Sequence, residues 1–198
     1  MKLSSFNSFD GTNLKYYSWL TENPVGTVVV FHGMAEYGAR YKSFANFLNK
    51  NGYDVYLMDF RGHGNNIGQM QGYFADKNGW DIVVNDMKSF VDYVFDHASS
   101  KKVILFGHSM GSLLLRSYLI KICDSRISKF VISGTPATPS KGIFTVAMVL
   151  SGIVVALGGK RKPSKLMDKM AFGQYAKSIK NPNTTFDWLS HDRNAVMK

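Results

Sequence analysis

Cysteine is almost missing from this chain. The single Cys123 excludes an internal disulfide framework, and its place after the apolar helical run Leu113–Ile122 predicts a reduced, packed thiol in a reducing, cytoplasmic setting. Apolar runs long enough to cross a bilayer are missing too. The longest, 143–157, has 15 residues interrupted by Thr145, Ser151 and Gly152, short of the roughly 20 that a span needs. Met1–Asp10 is polar and lacks a basic start followed by an apolar stretch, so no signal peptide is expected there. Acidic residues become scarce in the second half. Residues 1–100 carry 8 Lys/Arg against 10 Asp/Glu, a balance of −2, whereas residues 101–198 carry 16 against 4, a balance of +12. Such a basic half can meet phosphate or an anionic membrane surface, or it can be a solvated lysine-rich face. It contains no nucleic-acid reading motif, and nucleic acid is not an expected partner. His32, His63, His97, His108, His191 and Cys123 form no close ligand cluster, so neither a metal nor a cofactor is expected. Internal repeats, low-complexity tracts and linkers are also wanting.

What is present suits a globular domain: 198 residues, 45% hydrophobic and 14% aromatic, are enough to fill a core. Phe6–Asp10, then Gly11-Thr12, then Leu14–Leu20 predict an antiparallel hairpin on an Asp-Gly turn. Thr27–Phe31 is a continuous β-branched and aromatic run, suited to a strand buried on both faces of a parallel sheet. Tyr41, Phe44, Ala45 and Leu48 recur at helical spacing, with Gly52 where a C-terminal cap belongs. Val55–Phe60 reads as the next strand, and Val83, Met87, Phe90, Val91 and Val94 mark one helix face. Strand Val103–Phe106, helix Met110–Ile122 and strand Phe130–Ser133 continue the alternation. Strands separated by helices predict a mostly parallel α/β sheet whose site lies at the strands' carboxyl ends.

One stretch, ILFGHSMGS at 104–112, falls at such an end. A serine forced into a sharp strand-to-helix turn needs small residues two positions before and after it, because larger ones would strike the strand and the helix. Gly107 and Gly111 meet that need around Ser109. The turn lifts the hydroxyl above the sheet and puts the positive end of a helix where an oxyanion would form. Acyl transfer at Ser109 also needs two amide donors, one from the following residue, Met110, and one from the loop after an earlier strand. His32-Gly33-Met34 directly follows Val28–Phe31, making the N–H of Met34 the second candidate. His32 could be a base or a structural residue. The structural role is favoured, because in the Ser-acid-His chain order the base follows the serine.

HGMAEYGARY (32–41), DFRGHG (59–64), GHSMGS (107–112) and FDWLSHD (186–192) together resemble the monoacylglycerol lipase and lysophospholipase branch of the α/β-hydrolase superfamily, the serine aminopeptidase-like hydrolases. The resemblance implies an α/β-hydrolase fold, with the N-terminal part of the core over 1–137 and the start of a helical cap or lid over 138–198. It further implies Ser109 as nucleophile, Met34 and Met110 as oxyanion-hole donors, and a serine ester hydrolase acting on a small-molecule acyl ester such as a monoacylglycerol or lysophospholipid. His63 falls in a structural loop of the family. The triad acid and base map onto no residue: His191, Asp187 and Asp192 fall in cap sequence, without the strand and glycine-rich loop that would carry a base. The chain is therefore expected to be truncated, lacking the last strands of the sheet, with one sheet edge unpaired, and to be nearly inactive by itself. A peptidase or small-ester hydrolase of the same fold, and a non-catalytic or vestigial fragment, are the alternatives. The apolar run 143–157 followed by the basic segment to Lys180 is either a lipid-facing lid, giving peripheral contact with a membrane, or a helix packed on the rest of the domain.

Overall fold

A computed structural model of the protein describes residues 1–68, 70–137, 140–157, 161, 164–166, 168–170, 173, 179–184 and 187–196. The chain separates into two compact units, Met1–Thr138 and Pro139–Lys198.

The first unit is built on a sheet of strands β1 (Lys2–Asn7), β2 (Asn13–Trp19), β3 (Gly26–Phe31), β4 (Tyr53–Met58), β5 (Val103–His108) and β6 (Ile127–Ser133), in the spatial order β1-β2-β4-β3-β5-β6. The first two form an antiparallel hairpin, with β2 antiparallel to β4; β3 is parallel to β4 and β5, and β5 to β6. The hairpin begins earlier than its composition predicts, and Ser8, Asp10 and Gly11 belong to the turn. Side-chain chemistry explains the shift. Asp10 Oδ1 accepts the Thr12 N–H at 3.0 Å, the Ser8 N–H bonds Thr12 O at 2.9 Å, and Ser8 Oγ donates to Asp86 Oδ1 at 2.5 Å, so a strand running on through Asp10 would give up all three. β4 and β6 likewise start before the apolar runs that announce them, because their ladders continue through Tyr53 opposite Gly26 and Ile127 opposite Val103. Asp59 and Phe60 leave the sheet altogether.

All six residues of β3 are buried, because the strand has a neighbour on each side and a core on each face. The two-residue side-chain period sorts them. Val29 and Phe31 face a cluster with Met58, Leu105 and the apolar stripe of α2 (Gly79–His97), namely Val83, Met87, Phe90, Val91 and Val94, joined by Leu114, Leu115 and Tyr118 of α3 (Met110–Ile122). Val28 and Val30 face a smaller cluster with Trp19, Val55, Leu57 and Ala45 of α1 (Lys42–Lys50), which ends before Gly52 at φ +83°. Beyond α3, Cys123 takes a left-handed conformation (φ +50°, ψ +42°) and is exposed. This corrects the packed thiol expected from sequence: the helix stops there, and the turn carries the side chain outward. Among the described residues β6 pairs with β5 alone and forms an edge of the sheet, with Phe130 and Val131 exposed.

In the second unit, α4 (Lys141–Ala156) starts at Ser140, whose Oγ accepts the Ile143 N–H at 3.5 Å. None of its residues is buried. A 3-10 turn at Asp187–Leu189 and a short helix at Arg193–Val196 follow. Among the described residues no helix is long and apolar enough to cross a membrane. Lys160, Lys162 and Lys177 of the basic segment that runs to Lys180, and Phe186 of FDWLSHD, lie outside the described residues.

Candidate active site

Ser109 joins the last residue of β5 to the first of α3, at φ +51° and ψ −117°. A residue with a Cβ avoids this region at a cost of about 1–3 kcal/mol, so the surroundings must enforce it. They do so from both sides of the peptide. The Ser109 N–H bonds Ser133 O at the end of β6 at 3.0 Å, and Ser109 O accepts the Ser112 and Leu113 N–H groups at 3.0 and 3.3 Å and Ser112 Oγ at 2.5 Å. Thr135 Oγ1 in turn donates to Ser112 Oγ at 2.8 Å. The Ser109 hydroxyl makes no capping bond to α3. The two glycines leave no room for anything larger. A methyl group on Gly107 would lie 2.5 Å from Gly111 O, and one on Gly111 would lie 2.2 Å from Phe31 O.

That last contact brings the end of β3 to the serine. A methyl group on Gly33 would lie 3.3 Å from Ser109 Cβ and 2.7 Å from Glu36 Oε2. Glu36 shapes this loop: its Oε2 accepts the Gly33 N–H at 2.8 Å and the Tyr41 hydroxyl at 2.7 Å, while Oε1 pairs with Arg40 Nε at 3.2 Å. Burial, and then Glu36 beside it, push the Tyr41 phenol up, which keeps it a donor. With the Gly33 N–H taken by Glu36, the next amide is that of Met34. Among the described residues neither the Met34 nor the Met110 N–H has a hydrogen-bond partner; Met110 directly follows Ser109, and Met34 follows the Gly33 that lies against Ser109 Cβ.

His32 is wholly buried, and both ring nitrogens are engaged. Nε2 accepts the Phe60 N–H at 3.1 Å, which leaves Nδ1 to donate to Gly33 O at 2.7 Å. Burial holds its pKa down at about 4, so the ring is neutral and braces the loop after β3 against the end of β4. His63 packs 5.3 Å from it, ring to ring, with Nδ1 3.0 Å from Arg61 O. His108 turns toward β6, with Nδ1 3.3 Å from Ser133 Oγ, and His97 stacks on Tyr93 at 3.9 Å. None of the histidines among residues 1–137 therefore bonds the Ser109 hydroxyl. His191 is exposed in the second unit. In the same unit, Asp187 Oδ2 accepts the Asn183 N–H at 2.6 Å, Oδ1 accepts the Thr184 hydroxyl, and Ser190 Oγ accepts the Asp192 N–H at 3.1 Å.

Three supporting side chains escaped the sequence reading. One is Glu36. Another is Asp59, fully buried, whose carboxylate accepts the Gly38 N–H at 2.6 Å and the Asn65 N–H and Nδ2 at 2.8 Å each, tying the loop after β3 to the loop after β4. The signal for it was an aspartate closing a strand before a glycine-rich loop, DFRGHG. The third is Asp86, wholly buried and bound at both oxygens by Arg61, at 2.6 and 2.7 Å, while Arg61 Nη2 also reaches Asp10 at 2.8 Å. An acid one position from Met87 on the apolar stripe of α2 was the clue that a cation had to reach it.

The family model described as Serine aminopeptidase, S33 matches residues 22–198. A monoacylglycerol lipase of Mycolicibacterium smegmatis is 29% identical over 152 residues, covering 76% of this chain and 52% of its own. A monoglyceride lipase of Saccharomyces cerevisiae is 30% identical, covering 57% of this chain and 37% of its own. Among solved structures, a thermostable carboxyl esterase from Bacillus coagulans in complex with glycerol superposes with a TM-score of 0.82 at 25% identity, over 99% of this chain and 63% of the esterase. The chain thus spans about half, or less, of the length of these curated lipases. The sheet order, the helices on both of its faces and the match of the family model over most of the sequence show that this chain has the α/β-hydrolase fold and belongs to the serine aminopeptidase S33 family.

Proposed function

We propose that this chain carries the nucleophile and oxyanion hole of a serine hydrolase that cleaves carboxylic esters of lipid-like substrates, monoacylglycerols or lysophospholipids. The observation that carries the reading is Ser109, held at positive φ between β5 and α3 with Gly33 of the loop after β3 against its Cβ. In the proposed reaction Ser109 Oγ attacks the ester carbonyl and its proton passes to an imidazole base. The Met34 and Met110 amides hold the oxyanion, the tetrahedral intermediate expels the alcohol protonated by that base, and water hydrolyses the acyl-enzyme. Gly33, Gly107, Gly111 and His32 position these groups. No histidine of residues 1–137 bonds the Ser109 hydroxyl, and His191 falls in what the family resemblance assigns to the cap, so residues 1–198 alone are expected to be nearly inactive, retaining what the oxyanion hole and binding supply. Residues 1–137 form the N-terminal part of the core and 138–198 the start of the cap, whose segment 143–180 makes peripheral contact with a lipid surface. The names of the lipase relatives favour the lipid-like substrate over a peptide or a small ester.

Hydrolysis of acyl esters of graded chain length, by this chain and by the polypeptide isolated from its cells, tests the reading. Decanoyl esters are expected to be cleaved faster than acetyl esters by the cellular polypeptide, with Ser109→Ala reducing the rate by several orders of magnitude. Preference for acetyl esters would remove the lipase assignment. Wild-type activity in Ser109→Ala would remove the nucleophile, and an inactive cellular polypeptide would leave a non-catalytic protein.

A further inference from the structure

Ser112 is wholly buried in the first turn of α3, and its hydroxyl lies between two other oxygens. It is 2.5 Å from Ser109 O and 2.8 Å from Thr135 Oγ1, in the loop after β6. The chemistry of the carbonyl fixes the direction of both bonds. A carbonyl oxygen cannot donate, so the Ser112 proton goes to Ser109 O, and the proton between the two hydroxyls is that of Thr135. Thr135, Ser112 and Ser109 O therefore form a chain in which every donor points toward the serine's own carbonyl. That oxygen also takes the Ser112 and Leu113 N–H groups at 3.0 and 3.3 Å. Two backbone donors already match its two lone pairs, so the hydroxyls add more than burial of the carbonyl demands. A buried helical serine commonly bonds a carbonyl one turn back. Here a hydroxyl from another element of the fold stands behind that bond and feeds it. The other end of the same peptide is the Met110 N–H. In a trans peptide the C=O and N–H lie in one plane, point in opposite directions and share one conjugated system. Donors at the oxygen thus fix where the N–H points and make it a stronger donor in its turn.

We infer that Ser112 and Thr135 are positioning residues of the oxyanion hole, a hydroxyl relay that holds the Ser109–Met110 peptide and strengthens the Met110 N–H toward the oxyanion. The inference rests on the proposed role of the Met110 amide as an oxyanion donor and adds the residues that act through it. Neither hydroxyl is given a contact with substrate. Polarisation along such a chain strengthens each bond by on the order of 10–30%. It counts most when full negative charge develops on the substrate oxygen, so losing the relay lowers kcat and leaves KM in place.

The test reads the amide and the reaction separately. In the isotope-labelled chain of residues 1–198, Thr135→Val is expected to move the Met110 amide nitrogen resonance upfield, although the substituted residue sits in another loop. Thr135→Ser, which keeps the hydroxyl, should restore the wild-type position. In the polypeptide isolated from its cells, assayed with a soluble short-chain ester, Ser112→Ala should lower kcat about tenfold, against the roughly 10²–10³ that loss of an oxyanion donor itself costs, with KM within about twofold. Thr135→Val should lower kcat about threefold, and Thr135→Ser should restore it. Circular dichroism checks that each variant is folded; if Ser112→Ala is not, Thr135→Val, altered at a partly exposed residue, decides the matter. A Met110 resonance unmoved by Thr135→Val, wild-type kcat in folded Ser112→Ala or Thr135→Val, a loss confined to KM, or no recovery in Thr135→Ser overturns the inference and leaves two structural hydroxyls. Wild-type activity in Ser109→Ala would instead remove the hydrolase reading, and the role of Met110 with it. An inactive Ser109→Ala beside fully active Ser112→Ala and Thr135→Val sinks the relay alone.

Discussion

Gly111 rests on the carbonyl of Phe31 so closely that a single added methyl group would stand 2.2 Å from that oxygen. The start of α3 and the end of β3 thus meet backbone to backbone, which is how two motifs far apart in sequence come to flank one serine. Gly111→Ala must push the helix and strand apart, and is expected to destabilise the first unit by at least about 2 kcal/mol. Urea unfolding followed by tryptophan fluorescence measures this; a midpoint unchanged from wild type would show that the contact can relax freely.

Ser109 stores strain that a different residue would release. Glycine tolerates φ +51°, so Ser109→Gly is expected to stabilise the unit by about 1 kcal/mol, whereas Ser109→Ala, which keeps the Cβ, should bring no such gain. Thermal unfolding of the two variants side by side reads the difference, and equal melting temperatures would mean that the serine backbone is unstrained.

Glu36 binds the Gly33 N–H and the Tyr41 hydroxyl with one oxygen. Glu36→Ala leaves both donors without that acceptor and should cost about 1–3 kcal/mol, with faster hydrogen exchange at the Gly33 amide. Glu36→Gln keeps an acceptor and should cost less. Unchanged exchange at Gly33 in Glu36→Ala would argue that the loop holds its shape without the carboxylate.

His32 links stability to acidity. Its folded-state pKa of about 4 lies below the ordinary 6.5, so between those values the unfolded chain binds a proton that the folded chain does not. Stability from this group is complete above about pH 6.5 and is lost as pH falls toward 4, by up to about 3 kcal/mol. His32→Gln, though less stable at neutral pH, should show a shallower decline over that interval; parallel pH profiles for wild type and variant would contradict the linkage.

Arg61 and the wholly buried Asp86 should be strongly coupled. Arg61→Met strands a buried carboxylate and is expected to cost about 3 kcal/mol, while adding Asp86→Leu should recover part of that loss. Additive losses in the double variant would show that the pair acts as two independent residues.

The features legible in sequence share a physical basis: they are local. Val28–Phe31 is apolar without alternation because β3 is covered on both faces, and Gly107 and Gly111 are small because each faces backbone. What escaped depended on partners distant in the chain. Ser8 looks like strand until Asp86, 78 residues away, claims its hydroxyl, and Glu36 looks like a surface acid until Gly33 and Tyr41 converge on it. Cys123 follows an apolar run that predicts a packed thiol, but the helix ends there, and no side chain in that run announces a left-handed residue at its end.

The hydrogen bond from the Ser109 N–H to Ser133 O also sets an order in time. A growing polypeptide releases β5 and the serine before it releases β6, so for that interval the elbow exists without one of its two restraints and has no reason to hold a costly conformation. Ser109 is held at its positive φ from both sides only when the sheet edge arrives. Any change that delays or loosens β6, such as a polar residue at Ile132, would therefore release the backbone of Ser109 from the strand next door while leaving every residue of its own motif intact.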